Sequence, residues 1–164
     1  KDRVYLGSNI PRYTYGFNLG ASYKGFDFSA LLQGVGKVDI STLVMEKAPL
    51  NTDGNFKEIH EDSWTPSNTG AAFPRLSKTA QNYESSSFWI KSGSYLRVKS
   101  MQIGYTLKPS VTSRLGLSKL RLYVSGQNLF TFSSLPDDID PESLNDNRYY
   151  PQVKTYTVGL NANF

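Results

Sequence analysis

Tyr156-Thr157-Val158-Gly159-Leu160-Asn161-Ala162-Asn163-Phe164 decides the fold, because large or apolar residues alternate in it without error with small or polar ones. In a β-strand successive side chains point to opposite faces, so Tyr156, Val158, Leu160, Ala162 and Phe164 share one face and Thr157, Gly159, Asn161 and Asn163 the other. A soluble sheet usually carries charge on its polar face. Here that face is small and uncharged, which suits a strand with lipid on one side and a polar lumen on the other.

The same rule read upstream finds Tyr13, Tyr15, Phe17, Leu19, Ala21 and Tyr23 alternating with Thr14, Gly16, Asn18, Gly20 and Ser22. Lys24-Gly25 forms a two-residue turn, and the chain returns with Phe26, Phe28, Ala30 and Leu32 against Asp27, Ser29 and Gln33, with Leu31 and Val35 out of pattern. Further on, Leu120, Leu122, Val124 and Gly126 alternate with Arg121, Tyr123, Ser125 and Gln127, and Phe130 and Phe132 prolong the apolar face. The lipid-facing set is therefore Tyr13, Tyr15, Phe17, Leu19, Tyr23, Phe26, Phe28, Leu32, Leu122, Val124 and Val158, with aromatics at strand ends where interfacial girdles lie. Between Tyr95 and Leu107 the apolar face changes parity, from Leu96 and Val98 to Met101, Ile103, Tyr105 and Leu107. A bulge at Lys99 or Ser100 restores one face. The reading preferred here is instead that the first half stands above the bilayer and packs inward, because Arg97 and Lys99 need water.

Connections alternate in length: short at Lys24-Gly25, long from Lys37 to Ser94, fairly short from Lys108 to Ser118, long again from Ser133 to Val153. Outer-membrane barrels have short periplasmic turns and long extracellular loops, so this order predicts a periplasmic C-terminus. The fold class is all-β, an antiparallel transmembrane β-barrel segment. About five strands cannot close around a lumen, for which about eight are needed, and open edges in lipid leave backbone groups unpaired. Residues 1–164 are thus expected to be the C-terminal part of a larger barrel domain. Lys1-Asp2-Arg3-Val4-Tyr5 has no features of an export signal, which fits a mature product or a fragment.

Composition narrows the alternatives. A hydrophobic fraction of 38% and a mean hydropathy of -0.42 are lean for a large core, and no stretch nears the roughly 18 apolar residues of a membrane helix. With no cysteine the chain holds neither disulfide nor thiolate metal site. The net charge of +4 comes from scattered Lys and Arg rather than a basic stripe, so nucleic acid is not an expected partner.

Trp64-Thr65-Pro66-Ser67-Asn68, Phe73-Pro74-Arg75-Leu76, Ser94-Tyr95-Leu96-Arg97-Val98-Lys99, Gly104-Tyr105-Thr106-Leu107, Val124-Ser125-Gly126-Gln127-Asn128-Leu129-Phe130, Asp140-Pro141-Glu142 and Tyr150-Pro151-Gln152 follow one another up to a terminal Phe. Each motif is weak alone, but the ordered series resembles the C-terminal end of SusC/RagA-family TonB-dependent outer-membrane transporters over nearly the whole chain. The resemblance implies a 22-stranded barrel around a plug, a location in the bacterial outer membrane, a SusD-like surface lipoprotein as partner, and TonB-energised import of an oligosaccharide or peptide. In that family the plug and the TonB-contacting segment lie N-terminal to the part matched here, so this segment alone is not expected to transport. Phe164, with Leu160 and Tyr156, is expected to act as the assembly signal, an apolar strand-shaped handle at an exposed edge.

Other chemistry is thin. His60 beside Glu58, Glu61 and Asp62 is read as a solvated loop histidine, since no second His follows at i+4. Asn51-Thr52-Asp53-Gly54-Asn55 reads as turn chemistry, because a calcium loop has its Gly later and a distal Glu. Asp137, Asp138, Asp140 and Glu142 suit Ca²⁺, but the preferred reading is a solvated loop stiffened by Pro136 and Pro141. Trp64, Arg75 and Tyr95 are candidates for ligand contact, the plainer assignment being packing of the long loop on the barrel rim. No catalytic triad, phosphate loop or cofactor motif is present, so an enzyme is not expected. The competing classes are a soluble carbohydrate-binding sandwich and a receptor barrel that does not transport.

Overall fold

The alternating segments become long antiparallel strands in the computed structural model, which describes residues 4–43, 56, 58–78, 84–136, 139–142 and 152–164. Strand β1 (Tyr13–Tyr23) pairs along its full length with β2 (Phe26–Gly36), from Tyr13 opposite Gly36 to Tyr23 opposite Phe26. Their turn places both Lys24 (φ 47°) and Gly25 (φ 90°) in the left-handed region, as a two-residue hairpin matched to strand twist requires. Lys24 occupies that conformation with its ammonium 5.0 Å from the Tyr23 ring centroid.

Two short strands follow, β3 (Asp39–Ser41) and β4 (Ile90–Ser92), which pair with each other in a separate two-stranded sheet. The sheet resumes with β5 (Tyr95–Thr106), β6 (Lys119–Gln127), β7 (Thr131–Ser133) and β8 (Thr155–Asn163). Its order is β1-β2-β5-β6-β8, with β7 added to the upper part of β5. A short helix, α1 (Pro109–Thr112), and a 3₁₀ turn (Ser113–Leu115) fill the β5–β6 connection, where sequence signals indicated only a turn. Gly116 closes it with φ 69°, a left-handed residue that ends the helical run.

Register turns the periodicity of each strand into faces shared by the whole sheet. Ala21, Phe28, Ile103, Val124 and Val158 stand opposite one another in one row across five strands; the adjacent row is Gly20, Ser29, Gln102, Ser125 and Thr157. Large residues of the apolar face stand open: Phe17 is 55% accessible, Ile103 53%, Val124 55% and Val158 81%. Exposure of so much contiguous apolar surface is untenable in water and natural against lipid.

The parity change in β5 has a different cause from the one preferred on sequence grounds. Leu31 pairs with Ser100 while Leu32 pairs with Val98, so Lys99 is an extra residue and forms a bulge. Leu96 and Val98 therefore share the face of Met101, Ile103 and Tyr105, and the strand does not turn its upper apolar residues inward. Opposite the bulge, Asn128 adopts φ 52° and donates its backbone N–H to the Lys99 carbonyl at 3.0 Å. That kink separates β6 from β7.

The long connection between β2 and β5 contains order that its irregular composition conceals. Val38 and Ile40 of the β3 region pack with Leu135 and Ile139 in a small buried core, against which Val35 rests. Trp89, 2% accessible, forms a second core with Leu43, Phe73 and Leu76.

Candidate functional site

The polar face of the sheet and the segments above its rim hold the concentrated chemistry. At the start of β5, alternation sends Tyr95 and Arg97 to the polar face, under the segment carrying Asp140-Pro141-Glu142. Arg97 is 3% accessible, far from the hydration its charge suggested, and its guanidinium is saturated by partners. Nη2 donates to Asp140 Oδ1 at 2.6 Å, Nη1 to Glu142 Oε2 at 2.9 Å, and Nε to Thr131 Oγ1 at 2.8 Å. Lys99, freed by the bulge, donates to the same Glu142 oxygen at 2.7 Å, and the Tyr95 hydroxyl donates to Glu142 Oε1 at 2.9 Å. Two cations thus meet two carboxylates.

Asp140 also accepts the backbone N–H groups of Glu142 at 2.9 Å and Gln152 at 3.0 Å. Burial pushes its carboxyl up, but those two amides and Arg97 outweigh burial and hold it below its ordinary value. Asp140 and Glu142 consequently form a clamp fastened to the wall and are not part of a solvated loop as composition suggested. Asp137 and Asp138 lie outside the described residues, as do Asn51 to Asn55. A cleft of about 460 Å³ opens beside the clamp, between Arg97, Thr131, Leu135, Asp140 and Lys154.

Trp64 and Arg75 come together elsewhere, in a cleft of about 550 Å³ that they share with Phe73, Pro74, Phe88 and Trp89. Trp64 donates its backbone N–H to the Phe73 carbonyl at 2.9 Å, which ties the two motif segments side by side. Tyr95 does not line this cleft. The three contact candidates therefore divide between two places. His60, read as solvated, is buried at 7% accessibility with the Phe56 ring edge-on at 6.1 Å. Among the described residues no three His, Asp or Glu side chains converge as metal ligands.

Lower on the polar face, Arg121 of β6 reaches across β5 to Asp27 of β2, with Nε 2.9 Å from Oδ1 and a second ion-pair contact between Nη2 and Oδ2. Gly104 lies beneath it, where a Cβ would collide with the guanidinium. Beside it the Tyr123 ring covers Gly159, and the Arg121 guanidinium carbon is 5.2 Å from the Tyr123 centroid. Sequence reasoning left Asp27, Arg121 and Trp89 unmarked. The first two show a signal in retrospect, as the charged members of otherwise neutral polar rows; Trp89 shows none.

Both the sequence and the fold of this wall and rim have counterparts in known proteins. The chain is 34% identical to TonB-dependent receptor P3 of Formosa agariphila over 99% of its own length and 17% of that receptor. It is 29% identical to TonB-dependent receptor SusC of Bacteroides thetaiotaomicron over 87% of its length and 14% of that protein. The RagAB peptide importer in its open-open state superposes with a TM-score of 0.72 at 24% identity, over 96% of this chain and 18% of the matched one. By sequence and fold, the chain matches a segment of a SusC/RagA-type TonB-dependent receptor. Its setting is accordingly the bacterial outer membrane, and its strands are barrel strands. No family model matches the chain. The chain spans less than a fifth of the length of these relatives, 17% for P3 and 14% for SusC.

Proposed function

We propose that residues 1–164 form the last part of the barrel domain of an outer-membrane nutrient importer, energised through TonB and working with a SusD-like surface lipoprotein. The supporting observation is the five-strand row structure, with one apolar face and one uncharged or internally ion-paired polar face. A soluble sandwich buries its apolar face against a second sheet. Here Phe17, Leu19, Ile103, Val124, Val158 and Leu160 of that face are all more than half exposed, with no second sheet over them among the described residues, which also argues against a carbohydrate-binding sandwich. The cargo class is an oligosaccharide or a peptide, and Trp64 and Arg75 line the rim cleft best suited to touch it. The chemistry of the described residues is one of holding and guiding, and the segment alone does not transport.

The rim with β3, β4 and the Asp140 clamp faces the exterior, and the turns at Lys24-Gly25 and Lys108–Ser118 face the periplasm. In the full-length protein, protease added to intact cells is expected to cut within 37–94 or 133–153 and to spare Lys24; cleavage at Lys24 contradicts the topology. A strain lacking the gene is expected to lose growth on one oligosaccharide or peptide mixture and to recover it with the full-length gene but not with a TonB-contact deletion. Unchanged growth across such a panel, or recovery without TonB contact, contradicts the importer reading.

Phe164, 95% accessible at the end of the sheet's edge strand, serves as the assembly handle together with Leu160 and Tyr156. Deleting Phe164 or replacing it by Asp is expected to lower heat-modifiable folded barrel in outer-membrane fractions far more than Asn163→Ser. Normal folded levels in the deletion contradict the role.

A further inference from the structure

A third cleft, of about 360 Å³, lies where the chain enters β1 and leaves β2, and its lining includes Ser8, Arg12, Lys37, Asp39, Ser92 and Ser94. Its walls are fixed. The Asp39 N–H donates to the Ser8 carbonyl at 2.8 Å and the Ser8 N–H donates back to Asp39 Oδ2 at 3.1 Å, so the incoming segment is stitched to β3. The Arg12 N–H bonds the Gly36 carbonyl at 3.2 Å, and the Lys37 N–H bonds Ser94 Oγ at 3.1 Å. Asp39, the one carboxylate in the lining, is engaged by that backbone amide. The Arg12 guanidinium and the Lys37 ammonium form no ion pair among the described residues, in contrast to Arg97, Lys99 and Arg121, which all do.

Position gives these two cations meaning. Lys37 Nζ lies 5.4 Å from the ring centroid of Tyr13, the outward aromatic that ends the lipid-facing row of β1. Aromatics at that level mark the headgroup region, and cations just beyond it meet lipid phosphate. Arg12 and Lys37 are held next to each other by the Arg12 N–H to Lys37 carbonyl bond of 3.3 Å and line the same cleft, and a guanidinium with an ammonium is a donor set for a phosphate monoester, which accepts several charge-assisted hydrogen bonds. We propose that Arg12 and Lys37 form a phosphate-binding site at the outer rim of the barrel, occupied by the phosphorylated headgroup of an outer-leaflet glycolipid. The site rests on the reading of this rim as extracellular. At the other end of β1, Lys24 sits over Tyr23 in a similar way but as a lone cation, and supplies an internal control.

The test uses the full-length protein purified in detergent, with lipid A as probe and native mass spectrometry as readout. A cation near an anionic lipid surface contributes about a fivefold gain in affinity, so Arg12→Gln with Lys37→Gln is expected to weaken lipid A retention about thirtyfold, while Lys24→Gln leaves it unchanged. Lipid A stripped of its phosphates is expected to bind wild type as weakly as intact lipid A binds the double variant. Inorganic phosphate that displaces lipid A completely would show that a free phosphate is the occupant and overturn the lipid assignment; persistence of lipid A in excess phosphate supports it. Equal retention by wild type and double variant, or equal loss in Lys24→Gln, overturns the site. Because all variants are first checked for heat-modifiable folded barrel, such a failure leaves the importer reading standing, whereas periplasmic exposure of residue 37 in intact cells would remove the basis of both.

Discussion

Within β5 one strand passes between two opposite ways of being stable. At Ile103 the side chain is 53% accessible and belongs to a row of apolar residues that face outward; at Arg97 it is 3% accessible and a charge is held inside by two carboxylates. The wall below puts its large apolar residues on the surface and needs no core, because lipid replaces one. The rim above stands in water and needs a conventional interior, supplied by Val38, Ile40, Leu135 and Ile139, together with ion pairs that fasten it to the wall. A bulge at Lys99 joins the two regimes, keeping a single outward face while aiming Arg97 and Lys99 at Glu142.

The rim is expected to be most vulnerable through its charges. Arg97→Met leaves the Asp140 and Glu142 carboxylates partly buried without their main partner, and removing one side of a buried pair costs about 3–5 kcal/mol. Hydrogen exchange of the amides in 139–142 should accelerate accordingly while the β1–β2 hairpin stays protected. Adding Asp140→Asn and Glu142→Gln should recover part of the loss. Equal exchange in wild type and Arg97→Met would break the distinction between rim and wall.

The wall should instead fail through its apolar face. Leu160→Arg or Leu19→Arg is expected to cost about 2–4 kcal/mol in barrel stability if placed near the bilayer midplane, and the neighbouring inward changes Asn161→Arg and Asn18→Arg much less. Unfolding in urea from lipid vesicles reads the difference. Equal costs at adjacent positions would mean that neither face meets lipid.

A smaller effect concerns acid. The Asp140 carboxyl is held below its ordinary 3.8 in the folded protein, so its contribution is complete above that value and is lost as pH falls through the folded one. Exchange of the 139–142 amides, corrected for intrinsic rates, should therefore be steady down to about pH 4 and rise below it. Asp140→Asn should flatten that rise. A rise beginning near neutrality would assign the acid response to another group.

The wall was legible because period two needs only the order of residue types: β1 runs from Tyr13 to Tyr23 as its alternation indicates, and β8 follows Tyr156 to Asn163 closely. Where periodicity faltered, sequence reading chose wrongly. The bulge at Lys99 depends on register with β2, which a single strand does not encode, and expecting Arg97 in water ignored a partner beyond residue 139. Trp64 and Arg75 do share a cleft, but Tyr95 belongs to the clamp. Such long-range charge pairs leave no local signature; Asp140-Pro141-Glu142 looked like loop chemistry because its cations lie on another strand.

Contact of one face of this sheet with lipid and of the other with a polar lumen can be read out in β8. The present segment contains no cysteine. Single cysteines are placed in turn at positions 156, 157, 158, 160 and 161 of the full-length protein, with any others removed, and each folded barrel is treated in vesicles with a water-soluble maleimide. Labelling is expected to alternate, strong at Thr157 and Asn161 and weak at Tyr156, Val158 and Leu160, with position 159 left out because the Tyr123 ring covers it. Uniform labelling, or labelling in the opposite phase, would contradict this division of faces.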